Sequence, residues 1–244
     1  MLPFDRLSFW EKQTYLRKID YLIVGSGIVG LSTAIHLKKA DPKAKVTVFE
    51  RGYLPSGAST KNAGFACIGS SSELLHDLKY ASEEEVFKTV EQRWKGLQKL
   101  RNLLGDAALD YQTLGSYELF SLSENRQYQQ SLDQLAFLNK RLASITGIPE
   151  VYQPANRICR DFGFEGFGFA IANAAEGQIN TGKMMHQLIS LAQNLGVQIM
   201  NGIEVKEIEK NELSTTYGKI SFGKLAICTN GLAASFLPQE DIKP

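Results

Sequence analysis

The sequence has few cysteines, little net charge and no long apolar run. Cys67, Cys159 and Cys228 lie far apart in its 244 residues. They predict neither a disulfide framework nor a metal site, and they favour a reducing, cytoplasmic location. The 27 Lys and Arg residues balance 26 Asp and Glu residues, which argues against a dedicated nucleic-acid-binding protein. No apolar run reaches the ~18–20 residues that span a bilayer, so no membrane span is predicted.

A secretory signal peptide is also not predicted. The first 20 residues contain acidic side chains and no apolar core of the kind that a secretory signal peptide has. The composition, 43% hydrophobic and 22% charged, is that of an ordinary globular protein. We therefore expect one large or two small domains with a sizeable buried core.

Residues 19–50 carry the clearest pattern in the chain. The apolar run 21–24 ends at the glycine-rich segment 25–30, GSGIVG, and apolar residues then recur at helical spacing as far as Lys38 and Lys39. A second apolar run, 46–49, ends at Glu50. A strand, a glycine turn, a helix and a second strand in about thirty residues predict a βαβ unit.

The glycine turn has the spacing of a dinucleotide-binding fingerprint. Gly25 permits the tight turn, Gly27 lets the backbone approach a pyrophosphate, and Gly30 allows the helix to pack closely on the strand. A helix that begins near Ile28 would direct its free N–H groups at the phosphates.

Glu50 follows Gly30 by 20 residues, at the end of the second predicted strand. Its carboxylate can accept hydrogen bonds from both hydroxyls of an adenosine ribose, and it would repel the 2′-phosphate of NADP, although the neighbouring Arg51 weakens that argument. FAD and NAD present the same ADP half. An NAD-linked dehydrogenase therefore stays open at this point.

The segment 57–65, GASTKNAGF, resembles the second flavin motif of the FAD-dependent D-amino-acid oxidase superfamily, which includes glycine and sarcosine oxidases and γ-glutamylputrescine oxidase-like enzymes. The resemblance extends to the aromatic arm around Trp10, to residues 196–205 and to residues 226–231. It implies FAD as the cofactor and a small amine or amino acid as the substrate. The implied reaction oxidises a C–N bond by hydride transfer to flavin N5.

The resemblance also implies which residues contact the cofactor. These are Gly25, Ser26, Gly27, Ile28 and Gly30 at the pyrophosphate; Glu50 and Arg51 at the adenosine; Ser59 and Thr60 at phosphate or ribityl oxygens; Lys61, Asn62, Ala63 and Gly64 near the isoalloxazine ring; Val205 at the adenine; and Thr229, Asn230 and Gly231 in a turn that closes over the cofactor.

Lys61 is the candidate catalytic residue, because a cation near the flavin N1–C2 edge would stabilise the reduced anion. Some relatives attach FAD covalently through a histidine at the matching position. With lysine there, this linkage is not expected.

The expected fold class is α/β: a Rossmann-like FAD-binding domain with a parallel sheet, plus an inserted α+β substrate domain that is incomplete. The FAD-binding domain is predicted at residues 1–80 and 172–237, the inserted part at 81–171 and a tail at 238–244. Members of the resembled family continue well beyond Pro244. We therefore expect weakened FAD binding and little turnover, and a truncated, non-catalytic FAD-binding-like module is a further alternative. The sequence does not predict an oligomeric state.

Outside the βαβ unit, hydrophobic periodicity and turn residues predict the remaining elements. They are one helix over 73–104, a strand–turn–strand over 108–122, a helix over 123–145 capped by Ser123, strands within 150–180, a helix over 181–195, strands over 197–200 and 203–209, a hairpin over 215–221 and a final strand over 225–228.

Overall fold

The computed structural model describes residues 3–237; the predicted tail, residues 238–244, lies outside the described residues. The strands are β1 (Ile19–Val24), β2 (Val46–Glu50), β3 (Phe65–Ala66), β4 (Ser116–Ser121), β5 (Tyr152–Pro154), β6 (Phe167–Asn173), β7 (Gly177–Gln178), β8 (Gln198–Asn201), β9 (Val205–Glu209), β10 (Glu212–Thr215) and β11 (Gly218–Ile227). The α-helices are α1 (Phe9–Glu11), α2 (Ile28–Ala40), α3 (Ala58–Lys61), α4 (Ser71–Asp77), α5 (Glu83–Leu104), α6 (Asp106–Leu109), α7 (Asn125–Thr146), α8 (Arg157–Asp161) and α9 (Thr181–Asn194). Short 3-10 or π-helical turns lie at Phe4–Arg6, Lys12–Leu16, Leu122–Glu124 and Asn230–Ser235.

The chain divides into two compact units. The first contains the residues up to Asn62 and those from Thr181 onward, and the second is Ala63–Asn180. The predicted domain boundaries, at 80/81 and 171/172, both fall inside the second unit. Residues 63–80 belong to that unit because Leu74 of α4 is buried in its core.

The predicted βαβ unit is confirmed. β1 and β2 are parallel, with Leu22 opposite Thr47 and Val24 opposite Phe49, and α2 connects them. They lie inside a six-stranded sheet in the order β8-β2-β1-β11-β10-β9. Every residue of β2 is buried, as expected for a central parallel strand covered on both faces.

The last strand of the sheet is longer than predicted. The hairpin expected over 215–221 is present, with Thr215 at the end of β10 paired to Gly218 at the start of β11. β11 then continues without a break into the final strand expected over 225–228 and has ten residues. Its first half pairs antiparallel with β10, and its second half pairs parallel with β1. β11 therefore joins the parallel part of the sheet to the antiparallel part.

The second unit is an α+β arrangement. Its strands form a three-stranded antiparallel sheet, β4-β6-β5, and a β3-β7 pair. The core lies among α4, α5, α7 and the larger sheet, with Leu138, Leu142 and Ile171 fully buried.

The single helix predicted over 73–104 is wrong, because the structure has two helices, α4 and α5. Ser82 starts the second one: its hydroxyl accepts a hydrogen bond from the Glu85 N–H, and the Glu85 carboxylate accepts from the Ser82 N–H and hydroxyl. This capping box fixes a new N-terminus where hydrophobic periodicity alone suggested continuity.

Two further predictions within the second unit also need correction. The strand–turn–strand expected over 108–122 contains only one strand, β4, and its first residues belong to the short helix α6. The helix expected over 123–145 is present as α7, but Ser121, not Ser123, forms a capping box with Glu124 just before it. A serine two residues earlier thus supplies the start signal.

The hydroxyl of Thr47 lies in the first unit without a hydrogen-bond partner within residues 3–237. The residue is fully buried in the middle of β2, between Leu22 of β1 and Gln198 of β8. A buried polar group without a partner carries a desolvation cost of about 1–3 kcal/mol. Thr47→Val should therefore raise the free energy of unfolding by about 1 kcal/mol, measured by urea denaturation.

Thr215→Val is the matched control for this substitution. The Thr215 hydroxyl is also buried, but it donates to the Gly218 carbonyl at 2.8 Å and accepts from the Tyr217 N–H at 3.0 Å. Its removal should lower the free energy of unfolding by about 1–2 kcal/mol. Losses of equal size in the two variants would show that the Thr47 hydroxyl is satisfied in solution.

Candidate functional site

A cavity of about 990 Å³ opens in the first unit where three parallel strands end. Val24 of β1, Glu50 of β2 and Ile227 of β11 are the last residues of their strands, and all three line it. Ligands of open α/β sheets bind at this edge. Most of the predicted cofactor-contacting residues lie in its wall: Gly25, Gly27, Ile28, Glu50, Arg51, Ser59, Asn62, Val205, Thr229, Asn230 and Gly231.

Gly25 and Gly30 have the steric roles that their spacing predicts, and the role of Gly27 at a pyrophosphate stays a prediction. Gly25 has φ +101°, and a Cβ there would lie 2.5 Å from the Cys228 carbonyl oxygen. A Cβ on Gly30 would lie 1.9 Å from the Gly25 carbonyl oxygen, so α2 can approach the turn only because residue 30 has no side chain. Gly27 lines the cavity and leaves its backbone accessible there.

The N-terminus of α2 faces the same cavity. Its N-cap is Gly27, which has no side chain to accept a hydrogen bond, and the Ile28 N–H donates to Ser59 Oγ at 3.0 Å. The hydroxyl of Ser59 thus supplies an oxygen at the positive end of a helix of 13 residues. An anionic oxygen at this place would be stabilised by the same N–H groups and the same dipole.

Glu50 is buried at the end of β2, and its carboxylate is held by three donors. Oε2 accepts from the Ser26 N–H at 3.0 Å and from the Ser26 hydroxyl at 2.7 Å. Oε1 accepts from the Gly52 N–H at 3.0 Å. The carboxylate therefore lies in the cavity wall in one fixed orientation, as a ribose-binding group requires.

The turn after β11 closes another side of the cavity. Asn230 adopts a left-handed conformation with φ +52°, and a 3-10 turn begins there. The buried Thr229 Oγ1 has no hydrogen-bond partner among the described residues. Thr229 lines the cavity, and a ligand group that reached its hydroxyl would supply the missing partner.

An ion pair beside Val205 was missed by sequence reasoning. Lys206 Nζ lies 2.5 Å from Glu204 Oε2, and both residues line the cavity. This lysine and the nearby Arg51 hold the pKa of the Glu204 carboxyl below its ordinary value. The available signal was the position of Glu204 and Lys206 next to Val205, which the resemblance places at the adenine.

Not every predicted residue lies in the cavity wall. Ser26 is fully buried behind the wall, and Gly30 is packed against the turn. The Thr60 hydroxyl donates to the carbonyls of Pro55 and Gly57 within the loop, and Lys61 is an exposed residue at the end of α3.

Ala63 and Gly64 begin the second unit. The Gly64 carbonyl accepts a hydrogen bond from the Ile179 N–H at 2.9 Å. Their predicted role beside the isoalloxazine ring stays a prediction.

The residues of this cavity fit the ADP half of a dinucleotide. The wall offers an exposed glycine backbone and a helix N-terminus for two phosphates, a fixed carboxylate for a ribose, and the orphaned Thr229 hydroxyl. The volume is at the upper end of the ~300–1,000 Å³ of typical small-molecule sites. No group of three or more His, Cys, Asp or Glu side chains within residues 3–237 is arranged to hold a metal ion.

The second unit has a smaller cavity of about 150 Å³. Glu118 in its wall accepts hydrogen bonds from the hydroxyls of Ser70, Ser71 and Ser72. Glu176 accepts from the Ile68 and Gly69 N–H groups and from the Ser116 hydroxyl. These bonds hold the segment that leads into α4, which gives the two carboxylates a structural role.

Tyr152, also in the wall of this small cavity, has a pKa far above its ordinary value near 10. Burial of the phenol is the main cause, and the negative charges of Glu176 and Glu118 add to it. The hydroxyl donates to the Gly69 carbonyl at 2.6 Å. The phenol therefore loses its proton at a higher pH in the folded state than in the unfolded state. Its contribution to the free energy of unfolding is present below pH ~10 and is lost as the pH rises above that value.

Tyr152→Phe should remove this pH dependence. The difference in unfolding free energy between the unaltered chain and the variant should be constant from pH 8 to 9.5 and then fall by about 1.4 kcal/mol per pH unit. Urea denaturation at each pH measures it, and the titration of other groups cancels in the difference. A constant difference up to pH 11 would contradict the assignment.

Comparisons with known proteins agree with the fold. The model of the family described as FAD dependent oxidoreductase (DAO) matches residues 20–244. Among solved structures, glycine oxidase from Bacillus cereus ATCC 14579 has a TM-score of 0.66 and 20% identity over 91% of this chain and 58% of its own. L-amino acid deaminase from Proteus myxofaciens has a TM-score of 0.65 and 18% identity over 90% and 47%.

L-proline dehydrogenase from P. horikoshii has a TM-score of 0.63 and 20% identity over 91% of this chain and 55% of its own. At these identities the likeness establishes the fold. The chain spans about half of the length of these three proteins. The curated sequences contain no match to it, and no helix within residues 3–237 is both long and apolar enough to cross a membrane.

Proposed function

The chain belongs to the family of FAD-dependent oxidoreductases, and we propose that its first compact unit binds FAD by the ADP half. The observation that carries this proposal is the position of Glu50. Its fixed carboxylate lies in the wall of the same cavity as the Gly27 backbone and the N-terminus of α2. One cavity thus brings together a ribose acceptor and a phosphate-binding turn.

Each group has a distinct task in holding the cofactor. The Gly27 backbone and the Ile28 N–H bind the phosphates, and Ser59 lies close enough to Ile28 to share this contact. The Glu50 carboxylate accepts the ribose hydroxyls, with Arg51 at its side. Val205, buried at the start of β9, contacts the adenine.

The proposed activity of the whole protein is the oxidation of a C–N bond in a small amine or amino acid. Bound flavin supplies the hydride acceptor for such a reaction. The second unit, which is the α+β part, would carry substrate-binding residues. Lys61, exposed at the end of α3, would bring a positive charge toward the flavin. A cytoplasmic location, which the three free cysteines favour, belongs to the same proposal.

Identification of the cofactor tests the proposal directly. The purified chain is titrated with FAD and, in parallel, with NAD, and binding is followed by flavin fluorescence and by calorimetry. After denaturation of the protein, the released nucleotide is identified by chromatography. We expect saturable binding of FAD with one site per chain; binding of NAD alone would overturn the proposal in favour of a nicotinamide-linked dehydrogenase.

The same preparation separates an enzyme from a binding module. FAD that binds and is reduced on addition of small amines or amino acids supports the oxidoreductase activity. FAD that binds but stays oxidised with every substrate tried would support the non-catalytic alternative for this chain.

A further inference from the structure

Ser26 occupies the second position of the glycine turn but does not line the cavity. It is fully buried, and both of its donors, the N–H and the hydroxyl, point to one atom, Oε2 of Glu50, at 3.0 and 2.7 Å. The two residues are 24 positions apart in the chain. The contact joins the turn after β1 directly to the end of β2.

The two carboxylate oxygens of Glu50 accept different numbers of hydrogen bonds. An ionised carboxylate oxygen accepts about two hydrogen bonds. Oε2 already accepts two from Ser26, whereas Oε1 accepts one, from the Gly52 N–H. The remaining acceptor capacity of Glu50, which lies in the cavity wall, therefore belongs to Oε1.

We propose that Ser26 is a positioning residue for the cofactor: it fixes Glu50 so that Oε1 is offered to the hydroxyls of the adenosine ribose. This inference rests on the proposed function, and it gives Ser26 a role other than the contact with the pyrophosphate that family resemblance implies. The Ser26 hydroxyl acts through Glu50 and not on the phosphates. Its contribution should depend on the ribose hydroxyls of the ligand.

The test compares two ligands that differ only in those hydroxyls. ADP and 2′,3′-dideoxy-ADP carry the same base and phosphates, and their dissociation constants are measured by calorimetry for the unaltered chain and for Ser26→Ala. The substitution keeps the backbone N–H bond to Glu50 and removes the hydroxyl bond. We expect ADP to bind about fivefold more weakly to the variant and dideoxy-ADP to change by less than about 1.5-fold.

A double-mutant cycle with Glu50 makes the test sharper. If Ser26 acts through the carboxylate, Ser26→Ala should cost no further affinity for ADP in a chain that already carries Glu50→Gln. Ser131→Ala, at a buried serine of α7 in the second unit, is the matched control and should leave both dissociation constants unchanged. Thermal unfolding without ligand shows whether each variant is folded.

The possible outcomes separate this inference from the proposed function. Equal weakening of ADP and dideoxy-ADP by Ser26→Ala would make Ser26 a phosphate ligand and overturn only this inference. Failure of the unaltered chain to bind ADP or FAD would overturn both. If Ser26→Ala does not fold, Ser26→Cys replaces it, and the weaker thiol donor should again reduce ADP affinity more than dideoxy-ADP affinity.

Discussion

Gly30→Ala should destabilise the first unit by about 3 kcal/mol or more, the largest stability loss that we expect from one added methyl group. The new Cβ would lie 1.9 Å from the Gly25 carbonyl oxygen and 3.1 Å from its carbonyl carbon. Because both atoms belong to the backbone, no side-chain rotation relieves the overlap. Either α2 moves away from β1 or the turn at Gly25 opens, and each change also spoils the phosphate-binding backbone.

The midpoint of thermal unfolding and the dissociation constant for FAD measure the two consequences. Gly96→Ala is the matched control, since Gly96 is also in a helix but a Cβ there would meet no atom within 4 Å. It should stabilise the chain by up to about 1 kcal/mol, because alanine is the better helix former. A Gly30→Ala variant as stable as the Gly96→Ala variant would show that α2 does not pack closely on the turn.

The βαβ unit was predictable because its signals are local. An apolar run, a glycine turn and a helical repeat follow one another in residues 21–40, and each restricts the backbone by itself. The capping boxes at Ser82 and Ser121 are local signals too, of the pattern Ser-x-x-Glu, and they would have given the correct starts of α5 and of the turn before α7. The helix predicted over 73–104 nevertheless runs through Ser82, because the hydrophobic periodicity continues across the break between α4 and α5.

The remaining features depend on contacts between distant parts of the chain. The pairing of Ser26 with Glu50 and of Ile28 with Ser59 joins residues 24 and 31 positions apart, and no local pattern indicates either. The two halves of β11 have different partners, so neither half shows that the strand is continuous. The orphaned hydroxyls of Thr47 and Thr229 are likewise a result of packing, which a sequence does not specify residue by residue.

Glu50→Gln should reduce the affinity for FAD about 100-fold, the largest effect on binding that we expect from a near-isosteric substitution. The amide has only one acceptor oxygen, so its NH2 group must face the donors of Ser26 or the N–H of Gly52. The charge-assisted hydrogen bonds to the ribose are lost with the charge. Fluorescence titration with FAD measures the loss, and thermal unfolding of the ligand-free variant shows that the chain is folded.

A comparison of ligands that differ at the ribose 2′-position tests whether this loss of affinity comes from the ribose contact. Glu50 should disfavour a 2′-phosphate by charge repulsion, so the unaltered chain should bind ADP more tightly than 2′-phospho-ADP. Glu50→Gln should reduce the ratio of these two dissociation constants, 2′-phospho-ADP over ADP, at least tenfold. Glu209→Gln, at an exposed carboxylate near the end of β9, should leave the ratio and the FAD affinity unchanged. A ratio that stays the same in Glu50→Gln would mean that the carboxylate does not face the ribose, and the cavity would then have to bind its nucleotide in another orientation.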